Sequence, residues 1–311
     1  MKRLLLTGAT GFLGRPCMPL LAAAGYEVHA VSAQGSTQSG HAASVHWHHA
    51  DLLDSAQTAR LIAEVRPTHL LHLAWCRTLP GKFWTDADNF RWVQASLTLL
   101  QEFAANGGQR AVLAGTCAEY DWNYGYCSEA HTPLRPATLY GTCKHSLQLL
   151  LDAFAAQAGI SAAWGRLFFL YGPHEYSERL VASVIRSLLQ GVPARCSSGA
   201  QIRDFLYIED AAAAFVALLE SGVSGAVNIA SGQPIAVKDV ALKIGELLQR
   251  RDLIQLGVLP SAPGEPPLLV ADVRRLQSEV GWSPHYSLDE GLKQTIRWWE
   301  TQAHGNEQVG A

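Results

Sequence analysis

Along the first 170 residues the apolar positions switch between two periods. Arg3–Thr7, Glu27–Val31, His69–Leu73, Arg110–Ala114 and Ala162–Phe168 are short apolar runs that read as buried strands. Between them Pro16–Ala24, Ser55–Val65, a stretch from about Ala87 to Ala105, and Leu139–Ala156 carry apolar residues at helical spacing. Strands alternating with helices of this length predict βαβ units, hence an α/β fold with a parallel sheet covered on both faces. The right-handed crossover preference makes that sheet doubly wound. Beyond Pro173 the rhythm breaks. Pro193, Gly199, Pro234 and a Pro-rich stretch from Pro260 to Pro267 punctuate shorter elements, which predicts a smaller, discontinuous C-terminal α/β domain. Phe205–Ile208 and Ala226–Ile229 still read as strands of the first sheet. The expected division is therefore 1–170 with about 204–230 in one domain, 171–203 with 231–301 in the other, and a frayed polar tail at 302–311.

The junction of the first strand and first helix reads Thr7-Gly8-Ala9-Thr10-Gly11-Phe12-Leu13-Gly14. Gly8 permits a tight turn, Gly11 lets the backbone approach a pyrophosphate lying on the helix N-terminus, and Gly14 lets helix and strand pack closely. In that context the motif predicts a Rossmann-type dinucleotide site, with Thr10, Phe12, Leu13 and Arg15 among its contacts. The second strand ends Val31-Ser32-Ala33-Gln34, without the carboxylate that commonly grips the ribose 2′-hydroxyl of NAD. Ser32, Gln34 and Ser36 can donate hydrogen bonds to a 2′-phosphate and Arg15 can add positive charge. NADP(H) is therefore favoured, and NAD(H) stays possible.

Tyr140 and Lys144 stand four residues apart, on one helix face. Of nine tyrosines only Tyr140 has Lys at that spacing, in a chain with six lysines. A phenol with an ordinary pKa of about 10 exchanges protons poorly at neutral pH unless a nearby cation stabilises the phenolate. Lys144 can do so while reaching the ribose hydroxyls of a dinucleotide. Thr116, just after the strand Arg110–Ala114, offers a hydroxyl that can hold a substrate carbonyl or alcohol against Tyr140.

With these pieces in order the chain resembles the extended short-chain dehydrogenase/reductases, in the branch of nucleotide-sugar epimerases and dehydratases. The resemblance spans nearly the whole chain: the TGxxGxxG loop, Asp51-Leu52, His72-Leu73-Ala74, Thr116 before Tyr120, Tyr140-x-x-x-Lys144, Arg166, and Tyr171-Gly172-Pro173. Arg203-Asp204-Phe205-Leu206-Tyr207-Ile208-Glu209-Asp210, Gly281-Trp282-Ser283-Pro284 and Leu288-Asp289-Glu290-Gly291-Leu292 complete it. It implies that Asp51 and Leu52 contact the adenine, that His72, Leu73 and Ala74 line the dinucleotide groove, and that Arg203 binds the nucleotide diphosphate, with Arg179 a second candidate. It also implies a homodimer.

Departures from the family pattern narrow the reaction. Dehydratases and decarboxylases of this kind carry a carboxylate pair, or one Glu, directly after the catalytic Thr, to move a proton on the sugar. Here those positions are Cys117 and Ala118, and Glu119, one further on, faces the opposite side if the segment is extended. The 3,5-epimerase/4-reductases use a Cys and a His whose matching positions hold Ala118 and Glu178, with Cys117 and His174 as neighbours. Two reactions need only a hydride and the Tyr140 proton. One is reduction of a 4-keto-(6-deoxy) nucleotide sugar; the other is 4-epimerisation by oxidation and re-reduction on retained NAD. The missing second-strand acid favours the reductase. Phe169 stands where the family has Asn, and Trp92 where the helix has Asn, with Asn89 one turn away. Trp84, Trp122 and Tyr124 add aromatics that can stack on a sugar or base, or simply pack.

Composition then removes other classes. A formal charge of −3 offers no footprint for nucleic acid or an anionic membrane. No apolar run is long enough to span a membrane, and Gly8 and Gly11 cut the N-terminal apolar stretch short of a signal-peptide core. Six cysteines without C-x-x-C spacing read as reduced thiols of a cytoplasmic protein. His46 and His48 alternate on a strand without a matched carboxylate or thiol, so no metal is expected. A non-catalytic dinucleotide sensor would have no need of Thr116, Tyr140 and Lys144 together.

Overall fold

The computed structural model describes residues 2–34, 45–76, 81–261 and 264–307. Its first part runs β1 (Arg3–Thr7), α1 (Gly14–Ala23), β2 (Glu27–Ser32), β3 (Val45–His49), α2 (Ser55–Val65), β4 (His69–His72), α3 (Asp88–Ala105), β5 (Arg110–Thr116), β6 (Tyr126–Cys127), α4 (Leu139–Ala158) and β7 (Ser161–Leu167). It continues β8 (Phe169–Tyr171), α5 (Leu180–Leu189), β9 (Ala194–Arg195), β10 (Ile202–Tyr207), α6 (Ile208–Glu220), β11 (Gly225–Ile229), β12 (Pro234–Ala236), α7 (Val237–Leu247), β13 (Ile254–Gln255), β14 (Leu268–Ala271), α8 (Arg274–Ser278) and α9 (Leu288–Glu307).

Seven strands form one sheet in the order β3-β2-β1-β4-β5-β7-β11, every pair parallel. The period-two alternation of β1 divides the core: Leu4 and Leu6 join Met18 and Phe215 on the side of α1 and α6, while Leu5 joins Leu61 and Phe103 on the side of α2 and α3. This is the doubly wound Rossmann-type arrangement that the apolar rhythm predicts. The strand order reverses between β1 and β4, and such a reversal opens a crevice at the carboxyl ends of the strands.

A second sheet, β12-β10-β14-β6 with β8 paired to β10, takes up the C-terminal elements, and α5, α7 and α9 pack beside it. Here the structure corrects the sequence expectation. Phe205–Ile208 does not join the first sheet: Phe205, Leu206 and Tyr207 pair with Phe169, Leu170 and Tyr171 of β8. An apolar run announces a buried strand but not its neighbour, and β8 begins only two residues after β7 ends. Only α6, which follows β10, returns to the first sheet, against α1, whereas Ala226–Ile229 does extend that sheet beyond β7. Asp204, wholly buried, accepts N–H bonds from Ser231 (2.8 Å), Gly232 (2.9 Å) and Ala271 (3.2 Å), and Asp210 accepts those of His285 and Tyr286 at 3.0 Å. These two carboxylates pin the smaller sheet and the α9 approach to the larger unit. α9 runs on to Glu307, into the segment expected as a tail. Residues 308–311 and Ser36 lie outside the described residues. No described helix is long and apolar enough to cross a membrane.

A methyl group on Gly14 would stand 2.1 Å from the Gly8 carbonyl oxygen and 2.8 Å from Ala9 Cα, both backbone atoms that cannot rotate away. Gly14→Ala is therefore expected to destabilise the fold by about 2–3 kcal/mol, read as a lowered denaturant midpoint, and to weaken dinucleotide binding in parallel.

Candidate active site

The crevice is built from the glycine loop and the end of β4. Gly8 has φ +69°, and a Cβ there would lie 2.8 Å from the Ala74 nitrogen, so the loop is pressed against Leu73–Ala74. A Cβ on Gly11 would meet only the Gly8 oxygen, at 3.0 Å, so its outer side is open. Leu13 precedes α1 without a capping side chain, leaving first-turn N–H groups for an external acceptor. Thr7 Oγ1 accepts the N–H groups of Leu73 and Ala74 at 3.2 Å and lies 2.7 Å from His72 Nδ1. On the other side His72 Nε2 lies 2.9 Å from Ser96 Oγ, which donates to the Trp92 carbonyl at 2.6 Å. The directions close in one way: Thr7 donates to Nδ1, and Nε2–H donates to Ser96. Burial holds this imidazole neutral, its pKa pulled down to about 3. An open Gly11 beside an uncapped helix start fits the pyrophosphate of a dinucleotide, and Thr10, Phe12 and Leu13 lie in the same loop.

Further along the crevice Arg15 donates its Nε to the Thr10 carbonyl at 2.9 Å. Ser32, buried at the end of β2, accepts the Gln34 N–H at 3.3 Å. Asp51 is exposed and accepts the Leu53 N–H at 2.9 Å, while Leu52 is buried.

Thr138 caps α4 by accepting the Gly141 N–H at 3.1 Å. A Cβ on Gly141 would fall 2.4 Å from the Ala118 oxygen, so the helix start sits hard against the 3-10 turn Cys117–Glu119. That contact brings the Tyr140 phenol into hydrogen-bond reach of Thr116. Aromatic rings surround the phenol edge-on: Phe83 at 5.1 Å, Trp84 at 5.7 Å and Trp75 at 6.5 Å between centroids. Trp84 also meets Trp122 at 6.0 Å, and Trp122 donates its Nε1–H to the Cys117 carbonyl at 3.0 Å. Lys144, one turn along α4 and 5% exposed, donates to the Ala114 carbonyl at 2.8 Å and lies 3.6 Å from the Trp75 ring centroid.

Burial raises the Tyr140 phenol well above its ordinary pKa; the Thr116 hydrogen bond opposes this, the Glu119 charge adds to it, and the Arg179 charge opposes it. Burial also pulls the Lys144 ammonium down to about 7, against the pull of Glu119. Desolvation of the phenolate outweighs what the neighbouring groups return.

Glu119 does not face solvent or the crevice. It is wholly buried, accepts the Thr116 N–H at 2.8 Å and the Trp164 Nε1–H at 2.9 Å, and pairs with Arg166 Nε at 2.7 Å. Arg166 in turn donates to Tyr120 Oη and Gln148 Oε1, at 3.0 and 2.7 Å. Burial keeps Cys117 a thiol. The two arginines expected at a diphosphate differ in what they have left to offer. Arg203, 3% exposed, pairs with Glu265 at 2.8 Å, donates to the Ile202 carbonyl and lies over Phe169. Arg179 is exposed beside Phe83, with its charge felt at Tyr140. His174 packs on Trp298 at 4.6 Å. His46 and His48 stack on either side of His29, at 5.1 Å each.

Sequence reasoning missed three members of this site. Trp75, whose Nε1 donates to Asn89 at 2.8 Å, was legible only as one aromatic among several. Buried Asn89 donates to the Phe83 and Asp86 carbonyls at 2.8 Å, and the Glu119–Arg166 pair spans 47 positions. The Asn had a signal in its displacement from the family position; the ion pair had none.

Known proteins share this architecture. Over 97% of this chain and 73% of its own length, UDP-glucuronic acid decarboxylase 1 of Danio rerio is 27% identical. UDP-glucose 4-epimerase of Corynebacterium glutamicum is 26% identical over 92% of each chain. The solved structure of MoeE5 in complex with UDP-glucose and NAD superposes with a TM-score of 0.84 at 27% identity, covering 97% of this chain and 99% of that one. The family model of NAD-dependent epimerases and dehydratases matches residues 4–230, and with the nucleotide-loop geometry above it the chain belongs to that family of extended short-chain dehydrogenase/reductases acting on nucleotide sugars.

Proposed function

We propose that the protein reduces a 4-keto-(6-deoxy) nucleotide sugar to the 4-hydroxy sugar, with NADPH favoured over NADH. The observation that carries the reading is the commitment of Glu119. The one carboxylate beside Thr116 is locked to Arg166, Trp164 and the Thr116 amide, and its two predecessors are Cys117 and Ala118. Proton removal from the sugar, which dehydration requires, has no base there.

A nicotinamide held in this crevice would supply the hydride for C4. Thr116 donates a hydrogen bond to the C4 oxygen and keeps it against Tyr140. The phenol, held protonated by burial, delivers its proton to the developing alkoxide, which is the direction reduction needs. Lys144 then stabilises the phenolate left behind and holds the ribose hydroxyls. Arg179, the exposed cation, takes the substrate diphosphate, and Arg203 joins it by exchanging Glu265 for phosphate oxygens. Trp84 and Trp122 form the sugar wall. Ser32 and Arg15 support NADPH, since no carboxylate there repels a 2′-phosphate. The 4-epimerase reading draws on the likeness to UDP-glucose 4-epimerase and needs NAD retained through both half-reactions.

Oxidation of NADPH in the presence of a 4-keto-6-deoxy nucleotide sugar tests the proposal. No oxidation with any such sugar, together with interconversion of intact 4-epimers, would select the epimerase. Tyr140→Phe is expected to lower kcat by about 10³-fold with dinucleotide affinity within about twofold, the latter read by protein fluorescence. Because the ammonium is the active form of Lys144 and its pKa sits at about 7, the reduction rate should fall as pH rises through that value. Lys144→Met should flatten this alkaline limb in the residual activity.

A further inference from the structure

Lys144 is a cation with an unusual set of partners. Its ammonium carries three N–H donors, and only 5% of the residue reaches solvent. One donor goes to the Ala114 carbonyl at 2.8 Å. The nearest carboxylate neighbour that raises its pKa, Glu119, has already spent its charge on Arg166. What faces the ammonium at short range is an indole: Nζ stands 3.6 Å from the Trp75 ring centroid, whereas the Trp164 ring is 5.9 Å away.

Trp75 is itself immobilised. Its Nε1–H is bonded to Asn89 Oδ1 at 2.8 Å, and Asn89, with no exposed surface, spends its amide N–H groups on the carbonyls of Phe83 and Asp86. The ring also leans on Trp92 at 6.2 Å. The loop so anchored includes Trp84, whose carbonyl accepts the Tyr140 N–H at 3.1 Å. One buried amide therefore holds both the ring that faces the lysine and the loop that seats the tyrosine.

We propose that Trp75 is a positioning residue that keeps Lys144 cationic and aimed along α4 by a buried cation–π contact, with Asn89 fixing the indole plane. The electron-rich ring face replaces part of the hydration that burial removes from the ammonium, and it does so without a counter-charge that would also act on the phenol. A carboxylate in that place would hold the lysine charged but push the phenolate of Tyr140 up in energy; an indole does the first without the second. The inference rests on the reading of Lys144 as a working member of the site for its consequence, but not for its own test.

The test is competitive acylation of the full-length protein with acetic anhydride, followed by mass spectrometry of the Lys144 peptide against exposed Lys238 as internal standard. The midpoint of the reactivity–pH profile reports the lysine's protonation, and its plateau reports access. The midpoint should fall in the order wild type, Trp75→Phe, Trp75→Leu, by about one pH unit across the series. The alkaline limb of the reduction rate should move with it. A midpoint unchanged in both variants, whatever happens to melting temperature or plateau, overturns the proposal. Should Trp75→Leu fail to fold, the smaller downward step in Trp75→Phe decides, because benzene offers the weaker face. A moved midpoint without any reductase activity would reject the proposed reaction and leave the lysine clamp standing.

Discussion

A buried ion pair organises the site. Glu119 and Arg166 meet at 2.7 Å with almost no exposed surface. Neither ion could be left there alone, since an unpaired buried charge costs about 3–5 kcal/mol. The pair is satisfied on every side: Glu119 takes the Thr116 amide and the Trp164 indole, and Arg166 takes Tyr120 and Gln148. These bonds join the end of β5, the turn after it, β7 and α4. Thr116 and the helix bearing Tyr140 and Lys144 are therefore set by one electrostatic knot rather than by loop packing.

The same knot commits Glu119 to the scaffold. A carboxylate near the reacting carbon is what a dehydratase of this family would use, and the one present here is turned into scaffold. Around the phenol stand the rings of Phe83, Trp84 and Trp75, and burial raises the phenol and lowers the lysine. The groove for the dinucleotide is built on a different principle, a neutral chain from Thr7 through His72 to Ser96 that ties the end of β1 to β4 and α3.

Much of this was legible beforehand for definite reasons. Strand and helix periods mark the sheet because each element buries one face, and glycines at 8, 11 and 14 announce the cradle because only a missing Cβ lets the backbones approach as they do. Tyr140 and Lys144 are legible as a pair because a helix turn brings i and i+4 together. The placement of Phe205–Ile208, the helical continuation past Gln302, and the partners of Arg203 were not, because each depends on a neighbour distant in the chain or on propagation rather than pattern.

Sequence alone therefore determined the doubly wound class and the family, and it pointed to the dinucleotide loop and to Thr116, Tyr140 and Lys144, all of which rest on local spacing. Tertiary structure alone decided that Glu119 is structural, that Arg203 is buried against Glu265 while Arg179 is exposed, and that an indole faces the lysine. Those outcomes turn on which buried charges find each other across the fold, and long-range electrostatic pairing leaves no period along the chain.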